Sequence, residues 1–181
     1  MQISIVYDSG FGHTKKLAEQ VAQGVTRAGG LPRLMALADG PANWDDLAAS
    51  DAIIFGSPTY NASVSARFKQ FMEDSTRPAF VSRAWAGKLA AGFTNSGAMH
   101  GDKLNTLMTM TLFAMQNGMI WQGLDVPGGR GGDEMNRIAV WLGAAAQSND
   151  AAPDVTPPQC DLDTAAALGE QVARTALRLK A

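Results

Sequence analysis

The sequence predicts an α/β fold, a doubly wound five-stranded parallel sheet with helices on both faces. Five short, largely apolar runs alternate with helices, four of them marked by stripes at helical spacing. Strands lacking a polar face must be covered on both sides, which makes the sheet parallel and central. Right-handed crossovers then leave it open rather than closed. The 181 residues suit one domain, 1–181, with a single sizeable core.

The first strand is Ile3 to Tyr7, punctuated by Asp8, Ser9 and Gly10. Leu17, Val21 and Val25 recur every four residues and mark a helix that Gly29 and Gly30 stop. Leu31 to Leu37 reads as the second strand, weakened by Pro32. A short helix around Asp45 and Asp46 leads to the third strand, Ala52 to Phe55, which Gly56, Ser57 and Pro58 end. Val64, Phe68, Phe71 and Met72 share one helix face, and Leu89 to Thr94 is the fourth strand. Leu104, Leu107, Met108, Leu112 and Met115 form the next helix, stopped by Asn117 and Gly118 before a short fifth strand, Met119 to Trp121. Leu168, Val172, Ala176 and Leu179 outline the last helix. Before it runs a long excursion, 122–163, with a glycine cluster from Gly128 to Gly132 and a Pro- and Asp-rich stretch from Asn149 to Cys160. This excursion reads either as a cap on a ligand site or as a surface loop or subunit contact.

Charge and cysteine content narrow the chemistry. Fifteen Lys and Arg against 17 Asp and Glu give a net charge of −2, so no basic field draws in nucleic acid or anionic lipid. Cys160 is alone, which excludes an internal disulfide and cysteine-rich zinc sites. His13 and His100 are the only histidines and have no partners at metal spacing, so no metal site is expected. No stretch approaches the roughly 20 apolar residues of a membrane span, and the expected location is the cytoplasm.

In open parallel sheets ligands bind beyond the carboxyl ends of the strands. Three loops leave those ends. The first, Ser9, Gly10, Phe11, Gly12, His13 and Thr14, runs into a helix N-terminus, where free N–H groups and the helix dipole suit a phosphate. Its plain alternative is a turn with Thr14 as N-cap. No Walker string occurs, and Lys15 stands where a dinucleotide fingerprint needs its third glycine, so a monophosphate fits better. The second loop carries Pro58, Thr59, Tyr60 and Asn61, an aromatic among polar groups that suits a flat heterocycle. Its alternative is a turn in which Ser63 caps the following helix. The third, Thr94, Asn95, Ser96 and Gly97 followed by Ala98, Met99 and His100, is small enough for a planar ligand to approach its backbone. Its alternative is a loop before a capped helix, with Asp102 near the helix start.

Residues 7–14, 56–61 and 87–90 resemble the flavodoxin superfamily and, more narrowly, WrbA-type NAD(P)H:quinone oxidoreductases and NADPH-dependent FMN reductases. The resemblance covers nearly the whole chain. It implies a flavodoxin-like sheet, FMN with its phosphate in the first loop and its ring between the second and third, and NAD(P)H as electron donor. It further implies a quinone-like small-molecule acceptor and a homodimer or homotetramer. Phe80 matches the position of a tryptophan that lines the quinone pocket in WrbA-type enzymes, and Asn117 falls near a histidine that helps hold FMN. Phe11, Phe80 and His100 are the expected substrate-side residues. No side-chain acid or base is obligatory for hydride relay, and none is assigned as catalytic. Two alternatives remain: a flavodoxin-type one-electron carrier, and a flavin-binding interaction protein without turnover.

Overall fold

A computed structural model describes residues 1–129 and 132–180. Arg130 and Gly131 of the glycine cluster lie outside the described residues. The elements run β1 (Gln2–Tyr7), α1 (His13–Arg27), β2 (Leu31–Ala36), α2 (Trp44–Ala49), β3 (Ala52–Tyr60), β4 (Ser63–Val64) and α3 (Ala66–Asp74). A π-helical turn, Thr76–Val81, follows, then β5 (Leu89–Ser96), α4 (Lys103–Gln116), β6 (Ile120–Trp121), β7 (Ala144–Gln147) and α5 (Gln159–Lys180).

The sheet order is β2-β1-β3-β5-β6, with parallel pairing along it. The chain steps outward from β1 to β2 and then back across to β3. The crevice at that reversal is where such sheets take ligands. Alternate residues of the buried strands face opposite layers. Ala52 and Ile54 join a core with Leu17, Val21, Leu168 and Val172 of α1 and α5. Ile53 and Phe55 join Phe68, Phe71, Leu107 and Phe113 of α3 and α4, with Trp85 stacked on Phe71 at 6.2 Å between ring centroids. On the first face, α1 and α5 meet backbone to backbone. A Cβ on Gly24 would lie 1.9 Å from the Ala166 carbonyl oxygen, and one on Gly169 would lie 2.1 Å from that of Val21.

The five-strand expectation holds, with two additions. β3 runs on to Tyr60 and turns back antiparallel through β4, pairing Thr59 with Val64 and Tyr60 with Ser63. Asn61 and Ala62, both at positive φ (46° and 70°), form the two-residue turn that matches strand twist. Ser63 is therefore a strand residue. The cap of α3 is Ser65, whose Oγ accepts from Phe68 N–H. The second addition lies within 122–163. Residues Ala144–Gln147 form β7, which pairs with the upper half of β5 (Phe93 with Ala144, Ser96 with Gln147), whereas β6 pairs only with Leu89 and Ala90. The fifth sheet position is thus shared by two segments, and α5 already begins at Gln159. The excursion is correspondingly shorter than its sequence suggests.

Candidate active site

At the carboxyl ends of β1, β3, β5 and β7 a cleft of about 510 Å³ opens. That volume lies within the usual range of small-molecule sites, about 300–1,000 Å³. It is lined by Ser9, Gly10, Phe11, His13 and Thr14 from the first loop, Pro58, Thr59 and Tyr60 from the second, and Asn95, Ser96 and Gly97 from the third. Ser148, Asp150, Ala151, Ala152 and Pro153 supply a fourth wall.

The first loop is held by its own side chain. Ser9 Oγ accepts from the N–H groups of Gly12 and Lys15, both at 3.1 Å, and Gly12 takes φ 94° as the N-cap of α1. Thr14 is not the cap; it lies inside the first turn, buried. Among the described residues, the N–H groups of Gly10, Phe11, His13 and Thr14 meet no protein acceptor. Those orphan donors stand at the positive end of a 15-residue helix. Among the described residues, no Lys or Arg lines the cleft. An anion here is therefore met by peptide dipoles, the means by which helix N-termini hold phosphate.

The second and third loops form the opposite walls. Tyr60 Oη sits over Gly10, 2.6 Å from where a Cβ would stand, and the Tyr60 ring meets Phe11 edge-on at 6.4 Å. Burial, and after it the charge of Asp8, pushes the Tyr60 hydroxyl above its ordinary pKa, so it stays a neutral donor. Thr59 lines the cleft and donates to Thr106 Oγ1 at 2.8 Å, tying the hairpin to α4. Thr94 points inward instead; its hydroxyl donates to the Ser57 carbonyl at 2.8 Å.

Lys103 shapes the third loop. Its side chain is fully buried, and its ammonium donates to Ser96 Oγ (2.6 Å) and to the carbonyls of Ala98 (2.5 Å) and Met99 (2.8 Å). Burial lowers its pKa to about 8, against a raising influence from Asp161. The fourth loop is fastened to its neighbours. His13 Nε2 lies 2.7 Å from the Ala151 carbonyl and donates to it, Ser148 and Asn149 N–H groups bond to Ser96 and Gly97, and Pro153 covers Gly12.

Several expected residues lie elsewhere. Gly12 forms the turn beneath the cleft, Asn61 the exposed hairpin tip, and His100 an exposed position outside the lining. Phe80 and Asn117 share a separate hollow with Lys69, Phe113 and Gln116. α4 starts beside the cleft and runs away from it, so Asn117, at its far end, sits at the opposite edge of the sheet. Asn117 Nδ2 caps the helix by donating to the Phe113 carbonyl at 2.9 Å. Within one chain, neither residue reaches the ring-side walls. Sequence reasoning missed Lys103, and it offered the fourth loop only as part of the 122–163 excursion, read either as a cap on a ligand site or as a surface loop or subunit contact. The signals were a lysine opening an otherwise uncharged helix, and the polar run Gln147, Ser148, Asn149 and Asp150 directly after an alanine run. Among the described residues, no helix is long and apolar enough to cross a membrane.

The cleft suits a ligand bearing one phosphate and one flat ring. Unpaired amides stand at one end, and Tyr60 with the small Asn95–Gly97 backbone at the other. The model of the NADPH-dependent FMN reductase family matches residues 1–127. Flavodoxin FldP of Pseudomonas aeruginosa is 35% identical, the match covering 98% of this chain and 97% of that protein. A protein named NAD(P)H dehydrogenase (quinone) from Archaeoglobus fulgidus is 32% identical over 98% of each chain. The crystal structure of a flavodoxin, WrbA-like protein from Agrobacterium tumefaciens superimposes with a TM-score of 0.76 at 36% identity, over 98% of each chain. The chain belongs to the flavodoxin-like family of WrbA-type proteins and NADPH-dependent FMN reductases.

Proposed function

We propose that the protein is an FMN-dependent oxidoreductase that passes electrons from NAD(P)H to a quinone or similar small acceptor. The observation that carries this reading is the set of orphan amides at Gly10, Phe11, His13 and Thr14, opening into a cleft of flavin-compatible shape. Bound FMN would supply the hydride-accepting and hydride-releasing centre. The chain's part is to bind and orient. The first loop holds the phosphate, with the Ser9 and Thr14 hydroxyls beside the amides. Tyr60 and the Asn95–Gly97 backbone flank the ring, and Pro58, Thr59 and the 148–153 segment close the floor and far wall. Phe11, 74% exposed at the mouth, offers an apolar surface to an incoming aromatic acceptor.

A family that includes proteins named as quinone dehydrogenases supports turnover. A second reading, a one-electron carrier, is favoured by the 35% identity to a protein named flavodoxin. The test is direct. FMN-loaded protein is mixed anaerobically with NADH or NADPH and its flavin absorbance is followed, then a quinone is added. Bleaching by the nicotinamide alone and recovery on quinone addition support the oxidoreductase. Bleaching only when a separate reductase is supplied supports the carrier, and failure to take up FMN sinks both. A homodimer or homotetramer fits the same reading. Leu104, Met108, Leu112 and Met115 form an exposed apolar stripe on α4, and no charged residue occurs between Leu104 and Leu124. Sedimentation of the loaded protein tests this, and a monomer would refute it. A cytoplasmic setting accompanies use of NAD(P)H.

A further inference from the structure

Asp8 follows β1 directly and begins the first loop. Its N–H donates to the Gly56 carbonyl at 3.0 Å, which fixes the chain between β1 and β3. Its carboxylate is buried, with 3% of the side chain exposed, immediately before the Ser9 that caps the loop. A lone carboxylate here is unfavourable twice over: it is desolvated, and it stands beside a cradle of N–H donors shaped for an anion. After burial, the charge of Asp8 helps to hold the Tyr60 hydroxyl above its ordinary pKa. Its one ion-pair partner among the described residues is Arg67, from the first turn of α3, with Nη1 2.5 Å from Oδ1. Half of the Arg67 side chain is exposed, so burial of its stem accounts for little of its placement. Among the described residues, no Lys or Arg lines the cleft itself, and Arg67 stands outside it, in a hollow with Leu37, Phe71 and Asp74.

We propose that Arg67 is a positioning residue for phosphate recognition: by neutralising Asp8 it allows the first loop to accept a phosphate dianion. The proposal rests on the FMN reading and adds to it a determinant 59 residues from the partner it acts through. With the pair intact, the ground beneath the loop is neutral, and the orphan amides and helix dipole decide what binds. Without Arg67, the Asp8 carboxylate is unpaired and repels the phosphate. A phosphate-free flavin feels no such repulsion.

The test therefore compares FMN with riboflavin. Dissociation constants for both are measured by fluorescence titration for the wild-type protein, Arg67→Met, Arg67→Lys, Asp8→Asn and the Arg67→Met/Asp8→Asn double variant, each checked for folding by circular dichroism. Arg67→Met is expected to weaken FMN tenfold or more while riboflavin stays within twofold. Arg67→Lys is expected to keep most of the preference for FMN. Asp8→Asn should bind FMN at least as tightly as wild type and should restore the Arg67→Met background to within about threefold. Equal losses for FMN and riboflavin in Arg67→Met, or a double variant that keeps the FMN defect, would overturn the role of Arg67 and leave the FMN reading standing. If Arg67→Met fails to fold, Asp8→Asn and Arg67→Lys decide: a tenfold loss of FMN alone in Asp8→Asn overturns the proposal. A wild-type protein that binds riboflavin as well as FMN, or binds neither, removes the FMN reading itself.

Discussion

Replacing Lys103 by methionine removes a buried charge and leaves the length of the side chain almost unchanged. The fall of its pKa from 10.5 to about 8 means that the folded chain holds this proton less tightly than the unfolded chain. At neutral pH, where both states are charged, that difference costs folding about 3 kcal/mol. Between pH 8 and 10.5 the unfolded chain binds more protons, so the contribution of Lys103 to stability improves as pH rises. That improvement is lost again as pH falls through 8. By pH 9.5 about 2 kcal/mol of the cost is recovered. The methionine variant has no proton to lose, so the stability of wild type relative to Lys103→Met should rise by about 2 kcal/mol from about pH 7 to 9.5. Urea denaturation of both proteins at the two pH values, with a fixed m-value, measures it. A gap that stays constant would mean that Ser96 Oγ and the Ala98 and Met99 carbonyls compensate the buried charge in full, and the burial argument would be wrong.

Three other perturbations probe separate parts of the molecule. Gly24→Ala forces a Cβ to within 1.9 Å of the Ala166 carbonyl, so α1 and α5 must part. About 3 kcal/mol of overpacking against about 1 kcal/mol of gained helix propensity should lower Tm by roughly 4–8 °C, and an unchanged melt would deny the close crossing. Asp161→Asn strips a bidentate partner from Arg137, whose Nε and Nη2 lie 2.7 and 2.9 Å from the carboxylate. With both side chains nearly buried, the expected loss is about 3–5 kcal/mol in urea denaturation, whereas a loss under about 1 kcal/mol would class the pair as a surface contact. His13→Ala deletes the bond to the Ala151 carbonyl. Amide exchange across 149–152 should quicken about fivefold, the equivalent of about one hydrogen bond, and unchanged protection would show that Pro153 and the Ser96 and Gly97 contacts suffice.

The strand runs through Ile3, Ile53 and Leu89 were legible because each is apolar on both faces, and the loops at their ends were legible because Gly, Ser, Thr and Asn gather there. β7 was not. Its sequence is Ala-Ala-Ala-Gln, and alanine carries little strand preference; the segment is a strand because β5 offers it an open edge. The Ser63 cap failed for a related reason. A hairpin across Asn61 and Ala62 absorbed Ser63, and the capping role moved two residues on to Ser65. Phe80 and Asn117 rest on the family resemblance alone, and α4 carries Asn117 away from the cleft to the other end of the strands. The pairs Arg67 with Asp8, His13 with Ala151 and Arg137 with Asp161 join residues that no local pattern relates.

The divided fifth position has a practical corollary. β6 is fastened to the base of β5 and β7 to its top, so each half has its own ladder. The stretch that links them is itself built into the scaffold: Leu124, Val126, Ile138 and Val140 are buried in the two cores, and Arg137 pairs with Asp161 of α5. A lineage or an engineer seeking to alter what approaches the cleft from that flank can therefore vary the exposed positions of the stretch while these anchors keep the lip that carries Ser148 to Pro153 in register.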